Sequence, residues 1–328
     1  MNAPSPDNAP QKAPKRLLGR LIRGGIACLV TAAFGWTIWK AARELAATPF
    51  DWQQFGWHYL PLAGLLYAAA LGCASRMWHR VLLSMGVGIP YLRAARAFAA
   101  SQLAKYVPGK AMVLVVRCGL VCGAQDQTTA TAASSARLGP VIASTFVETL
   151  MWVLVGAQVG CVGLLFRPGI STELFWGSVG IMILFGVLTL PPVFSQAINL
   201  AAKLKRAKNW DETKFQLDWA TYFRAWSWSL FGWLLYGGAM FFVLQAVSTE
   251  PLDGTMYGLA LTTICLATVG GFISMLPGGL GVRELVMLPL LAGSFSTSVA
   301  LISAILMRLV CVAVELLLAT CCHFVARR

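Results

Sequence analysis

The sequence predicts an all-α polytopic membrane fold, and three observations carry that prediction. First, the 328 residues are 58% hydrophobic and only 12% charged, whereas an ordinary soluble domain is about 25% charged. Mean hydropathy is +0.69. Second, apolar stretches of about 20 residues, the length of one helical crossing, recur along the chain. Third, two further apolar stretches are interrupted by Pro-Gly pairs, which no simple membrane anchor needs. A net charge of +13 would suggest nucleic acid in a soluble protein. Here it reads as the cytoplasmic share of a positive-inside distribution, and no nucleic acid is expected.

The elements follow in order. Residues 1–20 form a disordered basic tail: Met1 to Gln11 is rich in Pro, Ala and Asn, and Lys12, Lys15, Arg16 and Arg20 follow, with Arg23 beyond. Residues 21–328 read as a single transmembrane domain. Its first span is 24–43, retained because no small-x-small cleavage site precedes Lys40. Full spans are then predicted at 59–78, 136–165, 174–196, 222–247 and 298–324, about six in all. The third exceeds what hydrocarbon thickness requires, so it tilts or extends into water. Between the second and third, Tyr91-Leu92-Arg93-Ala94-Ala95-Arg96-Ala97-Phe98 suits a helix in the headgroup layer, the alternative being a connector packed on the bundle.

The two broken elements are 106–123 and 255–293. The first carries Tyr106-Val107-Pro108-Gly109-Lys110 and the second Met275-Leu276-Pro277-Gly278-Gly279. Proline removes a backbone donor and glycine abandons the helix, so each break strands peptide groups without helical partners. Hydrocarbon cannot satisfy those groups, so such backbone persists only against protein or trapped water. Most of the 26 basic residues fall on one side of this map: the tail, Arg76 to Lys105, the loop from Lys203 to Arg224, and Arg327–Arg328. The opposite loops hold Lys40, Arg43 and Arg167, with Glu250 and Asp253 in the last of them. Both termini are therefore expected in the cytoplasm. The two breaks then become re-entrant elements entering from opposite faces, as an inverted repeat would arrange them.

Ionisable residues cluster beside the breaks. Lys110 and Arg117 follow the first, and Arg283 and Glu284 follow the second. Glu148 lies mid-span, and Arg308 lies in the last span with Glu315 two turns on. Each such group at the bilayer centre costs about 2.5–3.5 kcal/mol on insertion scales, so a partner or a wet cavity is expected. Glu148 has two readings: a bundle-holding partner of Arg308 or Arg283, or a group that positions an arginine at a site. Four cations exceed the needs of one or two acids. Arginine grips phosphate bidentately, and a half-helix amino terminus adds N–H groups and a positive dipole end. Gly278, Gly279 and Gly281 permit close backbone approach. The pattern predicts an anion site for a lipid phosphate at Lys110, Arg117, Arg283, Arg308, Gly278 and Gly279. Its charge partners are Glu148 and Glu284, and Pro108, Gly109 and Pro277 make the helix breaks.

Catalytic chemistry is thin by comparison. The nine cysteines lie almost entirely in apolar segments, and the three histidines, His58, His79 and His323, lie near span ends or in loops. No nucleophile–base pair, metal motif or phosphate-binding loop is present, so no metal or cofactor is expected and the chain is read as a non-enzyme.

Tyr-Val-Pro-Gly-Lys at 106–110 with Arg117 behind it, and Leu-Pro-Gly-Gly-Leu-Gly-Val-Arg-Glu at 276–284, resemble the two signature stretches of the flippase-like lysylphosphatidylglycerol synthase transmembrane family. That family also includes archaeal glycosylation-associated and hopanoid-associated membrane proteins. The resemblance spans roughly residues 20–325. Glu148 matches a mid-span acid of the family pattern and Arg308 an arginine of its last helix. Thr149 departs from it, since the family commonly has Arg after the mid-span Glu. The aminoacyl-transferring domain of the full-length synthases is expected to be absent. The resemblance implies a lipid translocase of a bacterial inner membrane, moving a phospholipid or a polyprenyl-phosphate-linked lipid. The alternative is a non-transporting accessory protein for a lipid- or glycan-modifying enzyme. Membrane lipids are the expected partners, with such an enzyme or a second copy of the chain as further candidates.

Overall fold

The structure, a computed structural model, describes residues 52–106, 111–122, 132–204, 218–274, 276, 279 and 281–325, together with Trp36, Trp39, Arg43 and Ala46. The described chain is helical, with a short 3-10 turn at Trp52–Gln54. The helices are α1 (Tyr59–Ser84), α2 (Tyr91–Ala104), α3 (Ala111–Cys122), α4 (Ala132–Leu165), α5 (Thr172–Thr189), α6 (Pro191–Leu204), α7 (Trp219–Val247), α8 (Thr255–Ile273), α9 (Val282–Leu291) and α10 (Thr297–Val325). Six of them are long and apolar enough to cross a membrane: α1, α4, α5, α7, α8 and α10.

Two segments differ from the sequence expectation, and one lies almost wholly outside the described residues. The predicted span 24–43 lies outside the described residues except for Trp36, Trp39 and Arg43, which are helical. The predicted span 174–196 stops at Thr189. Leu190 turns to an extended ψ of 135° because the residue before a proline is driven from helical backbone, and Pro191 then opens α6 as its first residue. The predicted broken element 255–293 resolves into α8, whose 19 residues suffice for a crossing, and the ten-residue α9, with only Ser274, Leu276, Gly279 and Gly281 described between them. In the other broken element, α3 is a 12-residue apolar helix. At 1.5 Å per residue it spans about 18 Å, too short to cross alone. The break itself at 107–110 lies outside the described residues, as does the tail 1–20.

The long third span is borne out. The 34 residues of α4 extend about 51 Å, against a hydrocarbon core of about 30 Å. The bundle is built on α1 and α7, its most extensive helix pair, with α4 packed on α7 and α8. Tight approach comes from missing side chains rather than from hydrophobic sorting, because lipid is as apolar as leucine. A Cβ at Gly163 of α4 would lie 1.8 Å from Thr262 Oγ1 of α8. One at Gly156 would meet the Trp233 ring of α7 at 2.3 Å. Trp78, Trp233, Met151, Met240 and Leu244 fill the centre with almost no exposure. Outside it, α5 packs on α4 and α6 and turns Trp176, Ile183 and Leu184 outward, a surface suited to acyl chains.

Both helix pairs that flank the breaks, α2 with α3 and α8 with α9, pack on themselves, and α2 and α9 also contact α10. That sets Lys105, before the first break, and Glu284, after the second, against one helix.

Candidate functional site

The described interior contains three acid–base pairs, each joining different helices. Arg117 of α3 is 1% exposed. Its Nη1 donates to Glu148 Oε2 of α4 at 2.7 Å, and its Nε donates to Ser101 Oγ of α2 at 3.0 Å. The guanidinium lies 4.5 Å from the Trp78 ring centre and 4.8 Å from that of Phe98. Trp78 is itself held by donating its indole N–H to Ser144 Oγ at 3.2 Å. Such a charge is enclosed by one carboxylate, one hydroxyl and two aromatic faces. Glu148 therefore pairs with Arg117, not with Arg308 or Arg283. Thr149, where the family pattern has Arg, donates its hydroxyl to Thr145 O at 2.8 Å and lies 3.4 Å from Glu148 Oε2.

The second pair is Arg308 Nη1 of α10 donating to Glu284 Oε1 of α9 at 2.6 Å. Arg308 Nη2 and Glu284 Oε2 are buried without hydrogen-bond partners. The third lies one face along α10. Glu315 is fully buried, and its Oε1 accepts from Lys105 Nζ at 2.5 Å and from the Tyr67 hydroxyl. Its Oε2 has no partner. Lys105 sits just after α2, at the lip of the first break.

Arg283 is different. It is half-buried, its enclosed Nε has no hydrogen-bond partner, and it joins none of the three acid pairs. Its stem runs against glycine backbone. A Cβ on Gly271 of α8 would lie 3.0 Å from Arg283 Cγ, and one on Gly279 would lie 3.2 Å from it and 3.0 Å from the Gly271 Cα. Gly279 also holds φ at +70° and Gly281 at +80°, conformations that glycine adopts without strain. The glycines of the second signature thus seat Arg283 between α8 and the start of α9. Tyr67, Tyr106, Tyr236 and Cys311 are within electrostatic reach of its charge. Tyr236 and Cys311 are 3.5 Å apart through O and S, and the Tyr67 and Tyr236 rings are 4.9 Å apart. Through Tyr67 this group joins the Lys105–Glu315 pair.

Ile273, Leu276 and Leu285, on either side of the second break, are 67%, 47% and 71% exposed. Between α1, α2 and α10 lies a mostly apolar cavity of about 130 Å³ with Glu315 in its lining. Ser75 Oγ, buried without a partner, lines it too.

Of the residues predicted from sequence, Arg283, Gly279, Arg308 and Glu284 lie around the second break. Arg117 and Glu148 sit apart as a closed pair. Lys110, Pro108, Gly109, Pro277 and Gly278 lie outside the described residues. Sequence reasoning missed Lys105 as a partner of Glu315, missed Tyr67, Tyr236 and Cys311 as site residues, and named Tyr106 only as part of the first break's motif. The available signal was the acid of the last span, which needs a cation, together with hydroxyl-bearing tyrosines in the middle of apolar helices.

A comparison with curated proteins finds no match. The family model described as Lysylphosphatidylglycerol synthase TM region matches residues 24–319, which takes in α1 to α9 and most of α10 with both signature stretches. An integral membrane domain related to lipid handling is what these helices and this match establish, and the chain belongs to the lysylphosphatidylglycerol synthase TM-region family.

Proposed function

We propose that the protein is a lipid translocase that carries a phosphate-bearing headgroup past the Arg283 cluster while the hydrocarbon chains stay in the bilayer. One observation carries this reading: among the described residues Arg283 is a cation without a carboxylate partner, set against glycine backbone at a helix break. An unmatched charge in such surroundings is costly, and a bound phosphate offsets that cost through charge-assisted hydrogen bonds. Lowering the cost of moving a phosphate through hydrocarbon is what a translocase has to do. Arg308 and Glu284 flank the site and hold the start of α9 against α10. No covalent step is assigned, and the working location is a bacterial inner membrane with both termini in the cytoplasm.

The test is reconstitution in liposomes with headgroup-labelled anionic phospholipids and polyprenyl-phosphate lipids. Protein-dependent transbilayer movement is expected, and Arg283→Met should reduce it at least about tenfold, because the loss of a charged hydrogen bond to phosphate of about 1.5–3 kcal/mol corresponds to that factor. Absence of movement with every lipid would point to an accessory protein for a lipid-modifying enzyme.

A further inference from the structure

The cavity between α1, α2 and α10 is separate from Arg283, which does not line it. Two buried polar atoms face it without hydrogen-bond partners, Glu315 Oε2 and Ser75 Oγ. The other oxygen of Glu315 is already held by Lys105 Nζ and the Tyr67 hydroxyl. Oε2 therefore lacks only a donor, while the Ser75 hydroxyl can both give and accept a hydrogen bond. A glycine marks the same place. Gly72 lies in the middle of α1 and lines the cavity, yet a Cβ built on it meets no atom within 4 Å. Glycine inside a helix is destabilising, and at Gly156 and Gly163 the close approach of a neighbouring side chain accounts for it. At Gly72 nothing approaches, and what the missing side chain preserves is the open space.

We infer that this cavity binds the hydroxyl end of an uncharged alcohol carried on a hydrocarbon body. Charge selects against the other head groups. An ammonium would come beside Lys105, whose carboxylate is already matched, and near Arg76, whose guanidinium lies 3.6 Å from the ring centre of Tyr91 in the cavity wall. A carboxylate would face Glu315. Like charges set side by side where water is scarce are strongly disfavoured. A hydroxyl instead donates to Glu315 Oε2 and accepts from Ser75 Oγ with no change in net charge. Leaving such buried groups unfilled is costly, so the ligand that fills them is favoured. Leu71, Phe98 and Leu318 supply apolar wall for the chain. A volume of about 130 Å³ is on the scale of cavities that take a small hydrocarbon, so it receives the hydroxyl and the first carbons. Ala68, Ala95 and Leu318 are only half-buried, which leaves that wall as the exit for a longer chain.

The test is binding of tritiated 1-dodecanol to the full chain in phosphatidylcholine nanodiscs, whose lipid has no hydroxyl, with empty nanodiscs giving the partition background. Saturable binding of one alcohol per chain is expected. Dodecyl methyl ether should compete at least about tenfold less well, because it cannot donate to the carboxylate. Dodecylamine and dodecanoate should also compete less well than the alcohol. Farnesol and 1-monododecanoylglycerol are run in parallel; displacement by either supports the site, and their order tells an isoprenoid body from a glyceride. Gly72→Leu should abolish saturable binding by filling the space. Glu315→Gln should narrow the alcohol–ether ratio, and Ser75→Ala should weaken both ligands while leaving their ratio. General misfolding removes both ligands together and cannot separate those two variants. Binding no greater than in empty nanodiscs, an ether equal to the alcohol, an amine that binds more tightly, or a Gly72→Leu chain that binds like the parent would each overturn the inference. None of these outcomes bears on Arg283 or on transbilayer movement, so this site and the translocase reading stand or fall separately.

Discussion

Arg117 and Arg283 show how two arginines in similar sequence settings acquire opposite roles. Both follow a Pro-Gly break, and the sequence places both in a phosphate site. The structure closes Arg117 against Glu148, Ser101 and two aromatic rings, while Arg283 is left without an acid. Substituting Arg117 with Met would strand a buried carboxylate, at a cost of about 3–5 kcal/mol. Thermal unfolding in detergent should record that loss. The double variant Arg117→Met/Glu148→Met should recover most of it, since replacing a whole buried pair by apolar groups is close to neutral. A double variant as unstable as the single would show that the pair does more than hold the four helices together. Arg283→Met should hold or raise stability, because no partner is stranded and an unmatched charge is removed. The candidate site was thus half legible: residue type and the adjacent break exposed Arg283, but pairing across α1 to α4 is long-range and leaves no mark on local sequence.

At the scale of elements, the chain's punctuation is local chemistry, although the predicted span 174–196 ran straight through one such stop. Leu190 before Pro191 ends α5, and Asp218 starts α7 by accepting the Thr221 N–H at 3.1 Å. The hydrogen bonding from Thr221 holds the Asp218 carboxyl below its ordinary range. That carboxylate stabilises the helix fully above its unfolded pKa, about 3.9, and the contribution is lost as pH falls through the lower folded value. Asp218→Ala should therefore cost about 1 kcal/mol at neutral pH. The difference from the parent protein should shrink in acid melts below about pH 3.9. A difference that persists unchanged in acid would mean that Asp218 acts through something other than its charge. The break between α8 and α9 was legible as a break, yet the crossing length of α8 was not. Its apolar run continues past Ile273, and only the point where helical hydrogen bonding stops defines its end.

The whole molecule arranges its helices so that α10 meets both broken elements, through α2 and α9, and that convergence creates the cluster. Orientation is a property of this scale too. With the native cysteines removed, Glu250→Cys in the α7–α8 loop should react with a membrane-impermeant maleimide from outside intact cells. A cysteine in the Lys203–Lys214 loop should react only after the membrane is opened. The reverse pattern would invert the topology derived from the basic residues. By itself, the sequence determined the class, the helical spans, the position of the breaks and the residue types that chemistry would require, because length, hydropathy and Pro-Gly chemistry are local quantities. Only the tertiary structure decided which charges cancel. Glu315 lies 210 residues from Lys105 and 248 from Tyr67, and an ion pair depends on a distance of a few ångströms in space that no sequence spacing encodes.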